Sequence, residues 1–268
     1  MTTPRSKSPI VLVHGIFGFA RLGIAGVSVE YFRRIPAGLR AAGNIVPDPP
    51  SLRTAGSIVE RAEDLRKYLD TAPGVVGQRV HLIAHSLGGL DARWMISTLD
   101  MAERVLSLTT IGTPHQGTPI ADLVRTLPGL EAVMEHAGID VKGLADLTTS
   151  ASVSFNRTVL DVPSVHYFAL AGEFAPPRFL GYPLGMLGPS HDVVRGQDGA
   201  NDGLVSTRSA LFRERGDRWT VLGQWPENHF RLINWGTNLF PTASEALDDS
   251  VVDRYKAIAV KVGQVAGG

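Results

Sequence analysis

The sequence lacks cysteine, a charge surplus of either sign and any long apolar run. Without cysteine there can be no disulfides, thiolate metal sites or cysteine nucleophile, so a nucleophile must be a hydroxyl, an amine or a carboxylate. Lys and Arg number 26 together, as do Asp and Glu, so we expect no nucleic-acid partner. The first apolar stretch, residues 10–13, is too short for a signal-peptide core or a membrane span. We therefore expect a soluble protein and not an integral membrane protein. We expect it to be cytoplasmic or exported without a leader.

What is present fits one globular domain spanning residues 1–268, since 44% of the side chains are hydrophobic and 19% are charged. Strand, turn and helix patterns alternate along the chain, which predicts an α/β fold with a mostly parallel central sheet and helices on both faces. The predicted strands are residues 10–13, 80–84, 106–111, 167–170 and 219–222. The predicted helices are residues 57–69, 87–99 and 250–262.

Two stretches interrupt this alternation. Residues 117–155 hold short helical patterns at 120–127 and 130–136 and several apolar side chains, which predicts a short helical insertion lying on the sheet. Residues 174–203 are rich in proline and glycine, which predicts a long ordered loop.

The strongest local signal is residues 84–89, Ala-His-Ser-Leu-Gly-Gly, between an apolar strand and a helical pattern. A nucleophile elbow needs this context, because a strained strand-to-helix turn exposes the serine hydroxyl and requires small residues two positions before and after it. Ser86 is the candidate nucleophile, although Ala84 stands where glycine is usual. The alternative is a small-residue turn without chemistry.

A second glycine motif follows the first strand, where Gly15 and Gly18 flank Ile16. Such a turn could bring the backbone close beneath the nucleophile. The backbone N–H groups of Ile16 and Leu87 would then donate hydrogen bonds to an oxyanion. A glycine turn after a strand is common, so this motif gains its weight from its pairing with Ser86.

A serine nucleophile needs a base and a carboxylate that orients the base. In this fold class the acid comes after the serine in the sequence, and the histidine comes after the acid. The other seven histidines lie at or before assigned strand ends, in the insertion, or ahead of the best aspartate: His14, His81, His85, His115, His136, His166 and His191. His229 therefore remains as the base, and Asp202 in a glycine turn is the preferred acid. Asp192 and Asp198 are rivals, and an ordinary loop histidine and a plain Asx turn stay open as alternatives.

Over nearly its whole length the chain resembles the bacterial true lipases of the Pseudomonas and Burkholderia type, within the α/β-hydrolases. The motifs that carry the resemblance are residues 9–15, Tyr31-Phe32, Ile35-Pro36, Leu39-Arg40, the elbow, residues 111–117, residues 201–205, and Asn228-His229 followed by Asn234. The resemblance implies that Ser86 is the nucleophile, Asp202 the triad acid and His229 the base, with the oxyanion held by the N–H groups of Ile16 and Leu87.

The chain departs from that family where those lipases bind a structural calcium ion. The two positions that match the calcium aspartates are Tyr182 and Arg231, and a cation at such a position argues against a dication. We therefore expect no cofactor or metal, and we hypothesise that the Arg231 guanidinium helps to hold the His229 loop. The usual family disulfide is missing as well.

The sequence thus predicts a serine carboxylester hydrolase that cleaves acyl esters through an acyl-serine. Its substrate would be an ester or lipid, encountered at a lipid–water interface if the insertion is a mobile lid rather than a fixed cap. An acyltransferase or thioesterase with the same acyl-serine, and a hydrolase fold that only binds, are the alternatives.

Overall fold

The computed structural model describes residues 6–16, 21–24, 27–54, 56–127, 141–236 and 249–265. Gly18 and the predicted helix 130–136 lie outside these residues. In chain order the strands are β1 (Ile10–Val13), β2 (Arg21–Ile24), β3 (Val27–Glu30), β4 (Val80–His85), β5 (Val105–Ile111), β6 (His166–Gly172), β7 (Arg178–Phe179), β8 (Tyr182–Pro183) and β9 (Trp219–Trp225).

The helices in the same order are α1 (Ile35–Ala41), α2 (Ile58–Thr71), α3 (Gly88–Thr98), α4 (Pro119–Thr126), α5 (Val141–Ala145), α6 (Thr149–Thr158), α7 (Gly188–Asp198), α8 (Thr207–Leu211) and α9 (Asp249–Val262). Short 3₁₀ turns cover Ala102–Arg104, Arg213–Arg218 and Arg231–Ile233. The predicted strands and helices in the described parts of the chain are therefore present, with shifts of one to three residues at their ends.

The central sheet has five parallel strands in the order β1-β4-β5-β6-β9. Strands β2 and β3 form a separate antiparallel pair, as do β7 and β8. Because the five strands are parallel, their carboxyl ends share one edge, where ligands bind in open α/β sheets.

Side chains alternate between the two faces of the sheet and build a core on each. Val11 and Val13 pack into one core with residues of α2 and α3, whereas Ile10 and Leu12 pack into the other with residues of α1 and α9. This alternation follows from the period of a strand, and it confirms the predicted α/β architecture with helices on both faces.

Residues 174–203 are not the long loop that the sequence predicted. They contain the β7–β8 hairpin and the 11-residue helix α7. Pro189 lies in the first turn of α7, where its missing N–H costs no hydrogen bond, and Gly199 ends the helix with a φ of 82°. High proline and glycine content therefore marked the ends of short elements and not the absence of structure.

The described part of the predicted insertion packs against the elbow helix. Helix α4 follows Thr118, whose side chain accepts a hydrogen bond from the N–H of Ile120, and it corresponds to the predicted helix 120–127. Ala121 and Leu147 share a buried apolar cluster with Leu87. None of the helices in the described ranges is long and apolar enough to cross a membrane.

Candidate active site

Ser86 sits in the turn between β4 and α3 with a left-handed φ of 56°. This conformation costs a non-glycine residue about 1–3 kcal/mol, and the surrounding structure must hold it. The N–H of Ser86 donates to the carbonyl of Ile111 at 3.0 Å, and its carbonyl accepts a hydrogen bond from Thr113 Oγ1 at 2.8 Å. The sharp turn predicted from the sequence is therefore present and is fixed by strand β5 and the segment after it.

Glycines on both sides of Ser86 allow neighbouring segments to approach it closely. A Cβ atom at Gly15 would lie 2.7 Å from Ser86 Cβ, and one at Gly88 would lie 2.7 Å from the carbonyl oxygen of His14. Real Cβ contacts are longer, so neither position can hold a side chain without a shift of the backbone. The loop after β1 thus passes directly against the serine turn.

Asp202 and His229 form a buried hydrogen-bonded pair. His229 Nδ1 lies 2.7 Å from Asp202 Oδ2, and the N–H of His229 donates to the Asp202 carbonyl at 2.8 Å. The other carboxylate oxygen accepts from the N–H groups of Leu204 and Val205 at 3.0 and 2.8 Å. A carboxylate with both oxygens bonded in this way is fixed in position, which leaves His229 Nε2 as the free ring nitrogen of this pair.

The Asp202–His229 pair leaves room only for glycine at position 112. A Cβ atom there would lie 3.1 Å from Asp202 Oδ2 and 3.4 Å from His229 Nδ1, and Gly112 also has a left-handed φ of 58°. This glycine belongs to one of the motifs that carry the family resemblance, residues 111–117, but no local pattern in the sequence indicated a role for it in the site.

The two expected oxyanion donors belong to the two segments that meet at Ser86. Leu87 precedes the first residue of α3, and within the described residues no acceptor for its backbone N–H is found. The helix dipole also favours negative charge at this end of α3. Ile16 follows Gly15 in the loop that abuts the serine, and its side chain joins the apolar cluster of Leu87.

Tyr31 and His85 connect these separate segments. The Tyr31 hydroxyl accepts the N–H of Gly15 at 3.1 Å and lies 2.8 Å from His85 Nδ1. His85 Nε2 is 3.1 Å from the carbonyl oxygen of His229. Because the carbonyl oxygen of His229 can only accept, Nε2 of His85 carries the ring proton, and Nδ1 accepts the hydrogen bond of the Tyr31 hydroxyl. Burial lowers the pKa of His85 well below its usual value.

A buried ion pair supports the loop that contains Gly15. Arg61 Nε donates to Asp91 Oδ2 at 2.9 Å, and both side chains are fully buried. The same guanidinium donates to the carbonyls of His14 and Gly15 at 2.8 and 3.2 Å. Burial raises the pKa of Asp91 to about 7 although Arg61 opposes this shift. Neither residue was identified from the sequence, because no local pattern links them.

The rival aspartates have other partners. Asp192 forms an ion pair with Arg178, whose hydrogen bond lowers the pKa of Asp192, and Asp198 accepts a hydrogen bond from Ser206 Oγ at 3.2 Å. Of the three candidate carboxylates, Asp202 is the one hydrogen-bonded to His229.

The two residues at the family's calcium positions lie in different surroundings. Tyr182 is in β8 with 76% of its side chain exposed, whereas Arg231 forms an ion pair with Glu227 at 3.3 Å. Glu227 also pairs with Arg254 of α9 at 3.1 Å. Across the described ranges, no group of three or more histidine and carboxylate side chains is arranged to hold a metal ion.

A strained serine between a parallel strand and a helix, with a histidine–carboxylate pair at the same edge, defines an α/β-hydrolase. Comparison with solved structures agrees on this fold. Staphylococcus hyicus lipase matches with a TM-score of 0.73 at 20% identity, covering 100% of this chain and 99% of that one. Lipase 1 from Pelosinus fermentans matches with a TM-score of 0.70 at 18% identity, covering 97% and 100%.

Sequence comparison identifies the family within this class. A triacylglycerol lipase of Vibrio cholerae is 31% identical over 86% of this chain and 80% of its own length. One from Pseudomonas fragi is 29% identical over 85% and 88%. A family model described as a PGAP1-like alpha/beta domain matches residues 65–157. The chain belongs to the bacterial lipases of the α/β-hydrolase superfamily, which confirms the resemblance read from its motifs.

Proposed function

We propose that the chain hydrolyses carboxylic esters of fatty acids, triacylglycerols among them, through a covalent acyl-serine on Ser86. The observation that carries the proposal is the 2.7 Å hydrogen bond between His229 and Asp202, next to a serine in a left-handed turn. The related triacylglycerol lipases support an ester as the substrate, and the geometry of the site supports the serine route.

In the first half of the reaction, His229 Nε2 accepts the proton of Ser86 Oγ while that oxygen attacks the ester carbonyl carbon. The carbonyl becomes an oxyanion, which accepts hydrogen bonds from the N–H groups of Leu87 and Ile16. Collapse of this intermediate breaks the bond to the alcohol oxygen, which leaves with the proton held by His229.

In the second half, a water molecule gives one proton to His229 and attacks the acyl carbon, and the fatty acid leaves as Ser86 regains its proton. Asp202 accepts a hydrogen bond from the Nδ1–H of His229 throughout and stabilises the positive charge of the ring. Each fixed hydrogen-bond donor at the oxyanion is worth about 10²–10³ in kcat.

The first test is the variant Ser86→Ala, measured by hydrolysis of p-nitrophenyl esters and by labelling with a fluorophosphonate. We expect turnover to fall by about 10⁶-fold and labelling to disappear, because the nucleophile is gone. The melting temperature should not fall, since the strained turn at Ser86 accepts alanine as well as serine. Turnover at the wild-type rate would rule out the acyl-serine.

Asp202→Asn and Asp192→Asn provide a matched pair for the acid. The first should lower kcat by about 10⁴-fold, because asparagine favours the wrong tautomer of His229. The second should leave kcat unchanged, since Asp192 pairs with Arg178. The opposite order would move the acid to Asp192.

A further inference from the structure

The β7–β8 hairpin and the four residues after it present an unusual amount of apolar surface to water. We call residues 178–187 the apolar hairpin. Leu180, Tyr182 and Phe179 expose 81%, 76% and 66% of their side chains, and Leu184 and Met186 expose 46% and 41%. Scattered exposed apolar residues are normal, but five within eight positions are a concentration that needs a reason.

The turn of the apolar hairpin is also unfavourable, because its backbone conformation is strained. Leu180 and Gly181 connect the two strands, and both have positive φ values of 50° and 84°. Two-residue turns of this kind favour asparagine followed by glycine, because a branched apolar residue is strained there. Leu180 is also the most exposed of the large apolar side chains in the described residues, so packing does not offset the strain.

The apolar hairpin is fixed at its base, next to the acid turn of the active site. A Cβ atom at Gly203 would lie 2.9 Å from Leu187 Cβ and 3.0 Å from Phe174 Cε1, so the last residue of the apolar hairpin and a residue just ahead of it pack against the residue after Asp202. Arg178 donates hydrogen bonds to Asp192 of α7 and to the carbonyl of Gly181. The tip therefore projects from a rigid base at the edge of the sheet that holds Ser86.

The surface of the apolar hairpin is electrically neutral. Between positions 174 and 190 the sequence holds one charged residue, Arg178, and no carboxylate. The charge of Arg178 is balanced by Asp192. A partner that recognises this surface must be apolar and needs no charge of its own.

We propose that the apolar hairpin inserts into the surface of aggregated lipid and holds the active site against it. A lipid surface suits this shape, because the tip is convex. Apart from its chain neighbours, no atom of the described residues lies within 4 Å of a Cβ built on Gly181 or Gly185. Aliphatic side chains with a tyrosine beside them match the boundary between acyl chains and headgroups. The proposal rests on the ester hydrolysis proposed above and adds the site through which the enzyme meets its substrate.

The test compares adsorption to phosphatidylcholine vesicles for the wild type, the double variant Phe179→Ser/Leu180→Asn, and Leu160→Ser as a matched control. Leu160 is 59% exposed but precedes β6, at the opposite edge of the sheet. We expect the double variant to lose about a hundredfold in partition coefficient, roughly tenfold for each side chain that no longer leaves water. The control should bind like the wild type, and added salt should not weaken binding.

Activity gives a second readout on the same proteins. The double variant should hydrolyse emulsified long-chain triacylglycerol at least about tenfold more slowly. It should hydrolyse the water-soluble ester p-nitrophenyl acetate at the wild-type rate, since the tip does not form the catalytic site. Its melting temperature should be equal or higher, because asparagine relieves the strain at position 180.

These measurements distinguish a failure of the lipid-contact proposal from a failure of the hydrolysis proposal. Ser86→Ala should adsorb to vesicles like the wild type, so a failed hydrolysis proposal leaves the adsorption result standing. Equal adsorption of the double variant and the wild type would overturn the lipid contact. Binding that requires anionic vesicles and disappears with salt would overturn it as well, as would a dimer in solution that the double variant abolishes.

Discussion

At the residue scale, the Tyr31 hydroxyl joins three segments of the active site through two hydrogen bonds. It accepts the N–H of Gly15 beside the serine and donates to His85, which in turn donates to the backbone of His229. A shift at any one of these segments therefore changes the hydrogen bonds of the others. The hydroxyl is buried, so water cannot replace it.

The variant Tyr31→Phe tests this link. It leaves the Gly15 N–H and His85 Nδ1 without partners, so we expect the free energy of unfolding to fall by about 1–3 kcal/mol and kcat to fall as the loops lose their register. Urea denaturation and ester hydrolysis measure the two effects.

Tyr167→Phe is the matched control, because its hydroxyl accepts one backbone N–H, that of Val162, away from the site. It should lower stability and leave kcat unchanged. If the two variants behave alike in kcat, Tyr31 only stabilises the fold.

The sequence located the residues whose signals are local, but not those defined by distant contacts. Ser86 was selected from a pattern of six residues, and His229 by its position after the candidate acid; the structure places them on adjoining segments. Asp202 remained one of three aspartates until its hydrogen bond to His229 distinguished it. Tyr31 carried no sign of its role, because its partner His85 is 54 positions away.

At the element scale, the Arg61–Asp91 pair joins helix α2 to helix α3 beneath the serine turn. Both side chains are fully buried, and the guanidinium also holds two carbonyls of the loop after β1. A buried pair of this kind is costly to break from one side, because the remaining charge has no water around it.

A double-mutant cycle measures the coupling between the two helices. Arg61→Leu alone should lower the free energy of unfolding by about 3–5 kcal/mol, and Arg61→Leu with Asp91→Leu should cost less, since no unpaired charge remains. Arg53→Leu is the control, because Arg53 precedes α2 and its ion pair with Asp64 of that helix is exposed, so its loss should change stability little. Additive effects of the two buried substitutions would contradict the coupling.

The loop that carries His229 is held by two ion pairs. Glu227 lies between Arg231 and Arg254 of α9, which ties the loop to the helix. We expect a chelator to leave melting temperature and ester hydrolysis unchanged, and Glu227→Gln to lower both because two guanidinium groups lose their carboxylate. Loss of activity with chelator that added calcium restores would show that the loop needs the ion.

Elements whose sequence shows one dominant pattern were predictable, whereas segments that combine helix, strand and turn patterns were not. The buried strand β1 is a run of four apolar residues, and α2 begins at the capping box of Ser57 and Glu60, as the sequence indicated. Helix α7 was missed because its core-facing residues are few and its ends carry proline and glycine. The secondary structure of such a segment depends on packing against neighbouring elements, which cannot be read from the sequence.

At the scale of the whole molecule, four buried histidines link stability to pH. Burial lowers the pKa of His14 and His81 to about 4, and it lowers that of His85 and His115 well below the usual value. These rings stay neutral in the folded chain, but they take up protons on unfolding once the pH falls below about 6.5.

We therefore expect the free energy of unfolding to fall as the pH is lowered from about 7 to about 5, by up to about 1.4 kcal/mol per pH unit for each histidine. Asp91 acts in the opposite direction: its raised pKa gives a stability that is present at low pH and is lost as the pH rises through about 7. The effect of the four imidazoles outweighs that of the one carboxyl, so the folded protein is less stable at the acid end of this pH range. Urea titrations across this range measure the slope, and a flat profile would contradict it.

The segment after His229 reaches back to the first third of the chain. Trp235 Nε1 donates to the carbonyl of Tyr31 at 2.6 Å, and Asn234 Nδ2 donates to that of Arg33 at 3.1 Å. During synthesis, the serine turn therefore leaves the ribosome long before the proposed base, since 144 positions separate His85 from His229. Under the mechanism proposed above, a growing chain carries an elbow without its proton acceptor, and ester hydrolysis begins only when β9 and the loop after it have docked.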